Sequence, residues 1–191
     1  MAIELVAGLG NPGERYAATR HNVGFKVVDE VARRLEVGDW RDEYFSQVAA
    51  VQRDSGQLWL AKPRTYMNRS GSALAMLAAA LAVEPCRMFV VVDDVDLDVG
   101  RLRVRRSGGP GTHNGLKDVV NALGTGFPRL RFGVRGTDPW DDLADYVLTP
   151  FADDEEAVVR DAVERAAAAV EMAVTEGIER AMNVFNRRCA S

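Results

Sequence analysis

The sequence of 191 residues contains only two cysteines and two histidines, and it has no long hydrophobic run. Cys86 and Cys189 are too few for a disulfide framework and favour a reducing compartment, while a bridge between the two stays open as an alternative. No apolar stretch has the length that spans a bilayer, and we see no basic leader with a cleavage-like site. These absences predict a cytoplasmic protein that is not inserted into a membrane.

The few potential ligands also argue against a metal site. His21 and His113 lie in separate segments, and neither has the His-x-x-x-His or Cys-x-x-Cys spacing of zinc ligands. The acids at 93, 94, 96 and 98 could offer oxygen atoms at every second position, yet the glycine and the distal glutamate of an EF-hand are missing. We therefore predict no metal ion.

A glycine motif at residues 8–13 has the Gly-x-Gly-x-x-Gly spacing of a dinucleotide-binding loop. Pro12 interrupts it, and the acids that follow, Asp29 and Glu30, fall inside a helical pattern rather than at the end of a strand. The second glycine-rich stretch, 107–115, lacks the Gly-Lys-Ser/Thr ending of a P-loop. We therefore predict no cofactor and expect the glycines to let the chain turn tightly.

Charge is distributed unevenly along the chain, although the net charge is only -4. Residues 101–135 carry eight basic side chains and one acid, whereas residues 136–180 carry thirteen acids and three arginines. A charge run is often just a solvated face, so the basic stretch alone does not decide between solvent and a polyanion as its partner.

Hydrophobic periodicity predicts strands that alternate with helices. The expected strands cover 3–9, 44–54, 57–63, 88–94, 101–105 and 129–135, and the expected helices cover 22–35, 70–83, 112–123 and 152–176. Asn68 or Ser70 is expected to cap the second helix and Thr112 the third. This order predicts a single α/β domain over residues 1–191, in which helices flank a central mixed, mostly parallel sheet.

Both histidines precede an asparagine and have glycines nearby, in or next to loops. A lone histidine is about as often a satisfied core residue as a functional one. Glycine lets a ligand approach the backbone, however, and loops at strand ends are common places for sites. Asp93 follows a buried strand, where an acid can orient a histidine for general-base catalysis.

Five segments, taken in order and spacing, resemble the bacterial peptidyl-tRNA hydrolases. They are GLGNPGERYAATRHNVGF (8–25), KPRTYMNRSG (62–71), DDVDLDVGRLRVR (93–105), SGGPGTHNGLKD (107–118) and the tail GIERAMNVFN (177–186). The resemblance covers nearly the whole chain. It implies an esterase that cleaves the bond between a peptide and the terminal ribose of tRNA, and that recycles tRNA from prematurely released peptidyl-tRNA.

The resemblance also implies roles for individual residues. His21 is the implied general base and Asp93 the acid that holds its imidazole; histidine suits this work because it titrates near neutral pH. Asn114 is implied to polarise the water or the ester, and Arg105 and Arg131 to contact tRNA phosphates. The implied substrate-binding residues are Asn11, Tyr16, Tyr66, Met67, Asn68, His113 and Asn114, with Tyr66 and Met67 as an apolar wall and His113 in a secondary role.

Four positions depart from the family pattern, namely Val92, Asp98, Pro110 and Thr112. They put the shape of the 107–113 loop in doubt, and either that loop or 137–146 could gate the cleft. A non-catalytic RNA-binding relative, of the type used as an intron-splicing factor, is the alternative; the added apolar patch of such proteins is not evident here. We expect a monomer that binds peptidyl-tRNA.

Overall fold

The computed structural model describes residues 2–137 and 140–187, so Cys189 and residues 138 and 139 of the 137–146 segment lie outside the described residues. Seven strands within them form one sheet, ordered β2-β3-β4-β1-β5-β7-β6. The strands are β1 Leu5–Gly8, β2 Arg41–Glu43, β3 Ser46–Arg53, β4 Gly56–Pro63, β5 Met88–Asp98, β6 Leu102–Arg105 and β7 Arg129–Arg135. The α-helices are α1 Val23–Arg34, α2 Ser70–Ala80, α3 Asn114–Leu123, α4 Leu143–Val147, α5 Glu156–Thr175 and α6 Ile178–Phe185.

The centre of the sheet is parallel and both of its edges are antiparallel. β1 pairs in parallel with β4 and β5, and β5 pairs in parallel with β7. β2 with β3, β3 with β4, and β6 with β7 pair antiparallel. This confirms the predicted α/β domain with a central mixed sheet flanked by helices. Because parallel strands end at the same edge, the segments after β1, β4, β5 and β7 come together there.

Each face of the sheet has its own hydrophobic core. Phe89 and Val91 of β5 pack into the core shared with α1 and α5, whereas Val90 and Val92 pack into the core shared with α2 and α3. Successive side chains of a strand point to opposite faces, so β5 is apolar on both faces from Met88 to Val92, ahead of the buried acids Asp93 and Asp94. In the described part of the chain, none of the helices is long and apolar enough to cross a bilayer.

Two glycines let α1 begin directly against the ends of β1 and β5. A Cβ atom on Gly24 would lie 2.4 Å from the carbonyl oxygen of Leu9 and 2.6 Å from that of Val91. A Cβ atom on Gly8 would lie 2.1 Å from the carbonyl oxygen of Gly24. In the 8–13 motif, positive φ occurs only at Gly13, where it is 103°. The expected tight turn therefore applies to Gly13, and Gly8 serves helix packing instead.

The structure corrects the predicted helix caps. The N-cap position of α2 is Arg69, and its side chain makes no capping hydrogen bond among the described residues, so the predicted caps Asn68 and Ser70 are wrong. Instead, Asp118 of α3 accepts the N–H of Gly71 at 2.6 Å. The cap of α3 is His113 rather than Thr112. A cap supplied by another helix leaves no local sequence signal.

Three short elements lie beyond the predicted set. β2 has three exposed residues and α4 five residues, which is too short for either to show a hydrophobic period. α6 follows α5 after a break at Gly177, where φ is 94°. β5 also runs to Asp98, past the predicted end at 94, with an irregular register between Asp94 and Asp98.

Candidate active site

Four segments meet at the carboxyl edge of the parallel strands. A 3₁₀ turn at Arg20–Asn22 leads into α1, and a second one at Met67–Arg69 follows β4. Asp93 lies in the middle of β5, in the part that pairs with β7, and His113 lies at the N-terminus of α3. The site is therefore assembled from residues that are far apart in the sequence.

Two histidines share one oxygen of Asp93. Nδ1 of His21 lies 2.7 Å from Oδ1 of Asp93, and Nε2 of His113 lies 2.8 Å from the same oxygen. The ring centroids are 4.9 Å apart. All three side chains are buried, Asp93 most of all at 2% exposure. The structure thus brings together three residues that the sequence places in three separate motifs.

Asp93 carries its negative charge at neutral pH. Burial alone would raise the pKa of Asp93, because an apolar environment penalises a charge. The charge interactions and hydrogen bonds with His113 and His21 outweigh burial and hold the pKa of Asp93 well below its usual range. Because Asp93 engages Nδ1 of His21, Nε2 is the nitrogen left for proton transfer.

Within residues 2–137 and 140–187, His21, Asp93 and His113 form a cluster that could hold a metal ion, since their ligand atoms lie within 4.8 Å of one another. Nδ1 of His113, however, accepts the backbone N–H of Leu116 at 2.9 Å, so the ring proton is on Nε2. A metal bound there would have to displace that proton and both hydrogen bonds to Asp93. The geometry therefore suits a hydrogen-bonded cluster of two histidines and one carboxylate better than a metal centre.

Asn22 holds Asn11 beside the 3₁₀ turn at Arg20–Asn22, which contains His21 and is called the histidine turn below. The N–H of Asn11 donates to Oδ1 of Asn22 at 2.9 Å, and Nδ2 of Asn22 donates to the Asn11 carbonyl at 3.0 Å. Oδ1 of Asn11 accepts the N–H of Met67 at 2.8 Å. Asn22 was not singled out from the sequence, where its position after His21 was the only signal.

The histidine pair opens into a cavity of about 450 Å³. Its walls include Asn114 and Lys117 of α3, Arg131 of β7, and the segment from Asp141 to Ala144. Thr112 and His113 also line it, so both segments considered as gates contribute to its walls.

Asn11 lines a separate groove of about 350 Å³ on the β4 side of β1, together with Gln47 and Lys62. The cavity and the groove therefore lie on different sides of the central pair β1–β5. Tyr16 is half-buried, and the guanidinium carbon of Arg15 lies 4.5 Å from its ring centroid.

The segment after β4 presents the remaining predicted residues in different ways. Met67 is buried and packs on Gly115, where a Cβ atom would lie 2.3 Å from its Sδ. Tyr66 is 54% exposed, and Asn68 is exposed as well. Only Met67 of the three is locked in place by these contacts.

Arg20 anchors the histidine turn from behind, which sequence reasoning missed. Its guanidinium is buried, donates to Glu155 at 2.6 Å and 3.2 Å, and donates to the carbonyl of Val134 at 3.0 Å. The rings of Tyr146 and Phe151 lie on it, each with a centroid 4.7 Å away. A partner 135 positions away along the chain cannot be identified from one sequence.

Four arginines lie on one face of the edge pair β6–β7. Arg103 is opposite Arg131, and Arg105 is opposite Arg129. Arg105 is exposed, while Nε of Arg131 lies 3.1 Å from a carboxylate oxygen of Asp94. Like charges directly across two strands are unfavourable, and an anionic ligand relieves that repulsion.

Arg129 serves the loop rather than the surface. It is buried, and it donates to the carbonyls of Gly108 at 2.6 Å and Thr125 at 3.0 Å. Burial, with a smaller contribution from Arg131, lowers the pKa of Arg129 to about 10, so it stays charged at neutral pH. Its contacts hold the glycine-rich loop in place.

Known proteins match this chain over nearly its full length. The sequence matches the family model described as peptidyl-tRNA hydrolase over residues 5–191. It is 45% identical over 184 residues to the peptidyl-tRNA hydrolase of Chloroflexus aggregans, covering 95% of this chain and 98% of that protein. The corresponding protein of Aquifex aeolicus is 40% identical over 189 residues, covering 98% of each chain.

The fold of the chain is also similar to that of a solved structure. The crystal structure of peptidyl-tRNA hydrolase from Acinetobacter baumannii superposes with a TM-score of 0.89 at 31% identity, covering 96% of this chain and 94% of that one. The fold of this chain is therefore shared with a solved peptidyl-tRNA hydrolase.

Proposed function

Because the chain belongs to the peptidyl-tRNA hydrolase family and hydrolyses the ester bond of peptidyl-tRNA, we propose that His21 is its general base. The observation that carries this proposal is the 2.7 Å contact between Nδ1 of His21 and Asp93 in the wall of the cavity. That contact leaves Nε2 as the proton acceptor. No observation favours the non-catalytic alternative.

Hydrolysis of the ester needs a base that takes a proton from water, and it needs a proton for the ribose oxygen that leaves. Nε2 of His21 takes a proton from water as the water oxygen attacks the ester carbonyl carbon. The intermediate then collapses, the bond to the ribose oxygen breaks, and the proton on His21 passes to that oxygen. The Asp93 carboxylate stabilises the imidazolium that exists between the two steps.

Asparagines supply the neutral polar contacts. Asn114 is exposed at the cavity and donates towards the charge that develops on the carbonyl oxygen. Asn11 and Asn68 hold the peptide and the terminal nucleotide, and Asn11 is pre-positioned by its bonds to Asn22 and Met67. Amides do this without competing with His21 for a proton.

The aromatic and apolar residues complete the substrate contacts. Met67 forms an apolar wall, supported by its packing on Gly115, and exposed Tyr66 extends that wall into solvent. Tyr16 contacts the substrate from the turn that precedes His21. His113, which is implied by the resemblance to bind substrate, lines the same cavity.

Arg105 and Arg131 bind phosphates of the tRNA. The proposal is supported by the exposure of Arg105 and by the like charges of Arg103 and Arg131, which lie opposite each other across β6–β7 and which a phosphate would neutralise. Arg131 then exchanges part of its contact with Asp94 for the phosphate.

We also propose that residues 1–191 act as one domain, and that the protein is a cytoplasmic monomer. A cleft that accepts a long polyanion must stay open on its basic side, which a monomer allows. Light scattering behind a sizing column should give the mass of one chain, and a dimer mass would contradict the proposal.

Release of free tRNA from a blocked aminoacyl-tRNA tests the assignment of the base. His21→Ala should lose at least about a hundredfold in rate, which is the low end for a general base, while Asn68→Ala should raise KM more than it lowers kcat. If folded His21→Ala keeps the wild-type rate, His21 is not the base.

A further inference from the structure

We propose that His113 is a positioning residue for the catalytic base: its neutral ring donates a hydrogen bond to Asp93 and so divides that carboxylate between two histidines. The proposal rests on the assignment of His21 as the base. It gives His113 a role different from the substrate contact that the resemblance implies.

The contacts of His113 fix the position of its proton. Nδ1 accepts the backbone N–H of Leu116 at 2.9 Å, and because that group can only donate, Nδ1 has no proton. The proton of the neutral ring is therefore on Nε2, which lies 2.8 Å from Oδ1 of Asp93. Both ring nitrogens are used inside the protein, which leaves neither for substrate.

His21 and His113 bind the same oxygen. A hydrogen bond from a neutral donor draws off part of the negative charge that Oδ1 would otherwise offer to His21. A weaker carboxylate stabilises the imidazolium of His21 less. The contact with His113 therefore weakens the interaction between Oδ1 of Asp93 and the ring of His21.

Other charged groups surround this pair. They are Asp94 of β5 with Arg131 of β7, Lys117 of α3, Asp141 and Asp142 across the cavity, and Arg20, which is turned away towards Glu155. Within the described residues, the side chain of Asp93 is hydrogen-bonded to the two histidines alone. Removing His113 therefore changes the hydrogen bonding of Oδ1 directly.

Two variants separate the contact with Asp93 from the capping of α3. His113→Ala removes both. His113→Asn keeps a side chain suited to cap α3 through Leu116, but its amide ends near the position of Nδ1 and does not reach Asp93. Both are compared with wild type by kcat/KM on a blocked aminoacyl-tRNA from about pH 5 to pH 9, and by thermal unfolding.

We expect both variants to move the acid limb of the pH profile upward by roughly 0.5 to 1 pH unit, which is a fraction of the effect of losing one hydrogen bond to a charged group, because His21 senses that loss only through Asp93. His113→Asn should unfold near the wild-type temperature, whereas His113→Ala should unfold lower. An NMR titration of the His21 imidazole without substrate should shift in the same direction.

A wild-type pH profile and NMR titration in His113→Asn would show that His113 is only a helix cap, and would overturn the proposal. His21→Ala, assayed in parallel, distinguishes this failure from a failure of the proposed function. If His21→Ala stays active, the base is wrongly assigned; if it is inactive while His113→Asn titrates like wild type, only the role of His113 is wrong.

Discussion

At the residue scale, the site depends on a buried carboxylate that stays ionised because two imidazoles bind it. Asp93 is 2% exposed, and the histidine contacts hold its pKa below the usual range although burial opposes this. Such a group couples catalysis to stability, since the same contacts position His21 and lower the free energy of the folded state.

Asp93→Asn tests both effects. We expect kcat to fall about 10²- to 10⁴-fold, because an amide can hold His21 in the wrong tautomer and does not stabilise an imidazolium. The folded-state pKa of Asp93 lies below its unfolded value near 3.9, so the carboxylate stabilises the fold above that pH and stops doing so as the pH falls.

Urea unfolding at neutral pH and below about pH 4 measures the second effect. The wild type should be the more stable protein at neutral pH, and its advantage over Asp93→Asn should shrink in acid. An advantage that stays constant over this range would contradict the pKa argument.

Much of the residue-scale site was predictable through motifs, and the rest was not. His21 and Asp93 lie in segments that carry the resemblance, so their pairing could be anticipated. The shared oxygen, the support from Asn22 and the bond between Arg20 and Glu155 depend on side-chain directions in three dimensions. Neighbouring residues in a single sequence do not reveal these contacts, because the partners are far apart along the chain or depend on how side chains are oriented.

At the element scale, the start of α1 is fixed by the absence of a side chain at Gly24. Gly24→Ala would bring Cβ within 2.6 Å of two carbonyl oxygens that belong to backbone, which cannot move cheaply. We expect a loss of about 3 kcal/mol or more in the free energy of unfolding, together with lower kcat as His21 shifts.

Gly38→Ala is the matched control. No heavy atom lies within 4 Å of a Cβ atom built there among the described residues, so the effect should be neutral or stabilising by up to about 1 kcal/mol. Equal unfolding free energies of the two variants in urea would show that the close approach of α1 does not matter.

The ion pair between Arg20 and Glu155 also acts at the element scale, because it joins the histidine turn to the start of α5. Arg20→Met leaves Glu155 without its partner, and breaking a pair whose side chains are 6% and 12% exposed should cost about 3 kcal/mol. Arg20→Met combined with Glu155→Gln should recover part of that loss. Additive losses in a double-mutant cycle of urea unfolding would refute the coupling.

Elements with a long hydrophobic pattern were predicted well. β7 and α1 show their periods over seven or more residues, and β5 begins with a run of five apolar residues, which is enough for a clear signal. β2 and α4 form because their neighbours hold them, and the cap of α2 comes from Asp118. Tertiary contacts decide such features, so local patterns do not reveal them.

At the scale of the whole molecule, charge is segregated although the net charge is -4. The arginines of β6–β7 lie at one edge of the sheet and β2 lies at the other. Binding to tRNA should therefore weaken with salt in proportion to the phosphates that this one edge contacts.

Arg105→Ala should weaken binding of tRNA and reduce the slope of log affinity against log salt by about 0.7 to 1, as expected for one lost phosphate contact. Arg41→Ala on β2 is the control, since Arg41 is also exposed but lies at the opposite edge. Titration of tRNA at several salt concentrations measures both, and equal slopes for the two variants would count against a phosphate contact at Arg105.

The fold class was predictable from alternating elements, but the strand order was not. Strands that follow one another in sequence, such as β4 and β5, are separated in the sheet by β1. The hydrophobic pattern of β1 does not indicate that β4 and β5 will pair with it. The position of the site was expected only because parallel strands place their following loops at one edge.

The bond between Arg20 and Glu155 also sets an order in time during synthesis. The two residues are 135 positions apart, so at ordinary elongation speeds Arg20 waits on the order of ten seconds for its partner. Through that interval the growing chain is itself a peptide esterified to tRNA, yet the turn that holds its own His21 is not anchored. The turn that holds His21 therefore gains this anchor only after residue 155 has been synthesised.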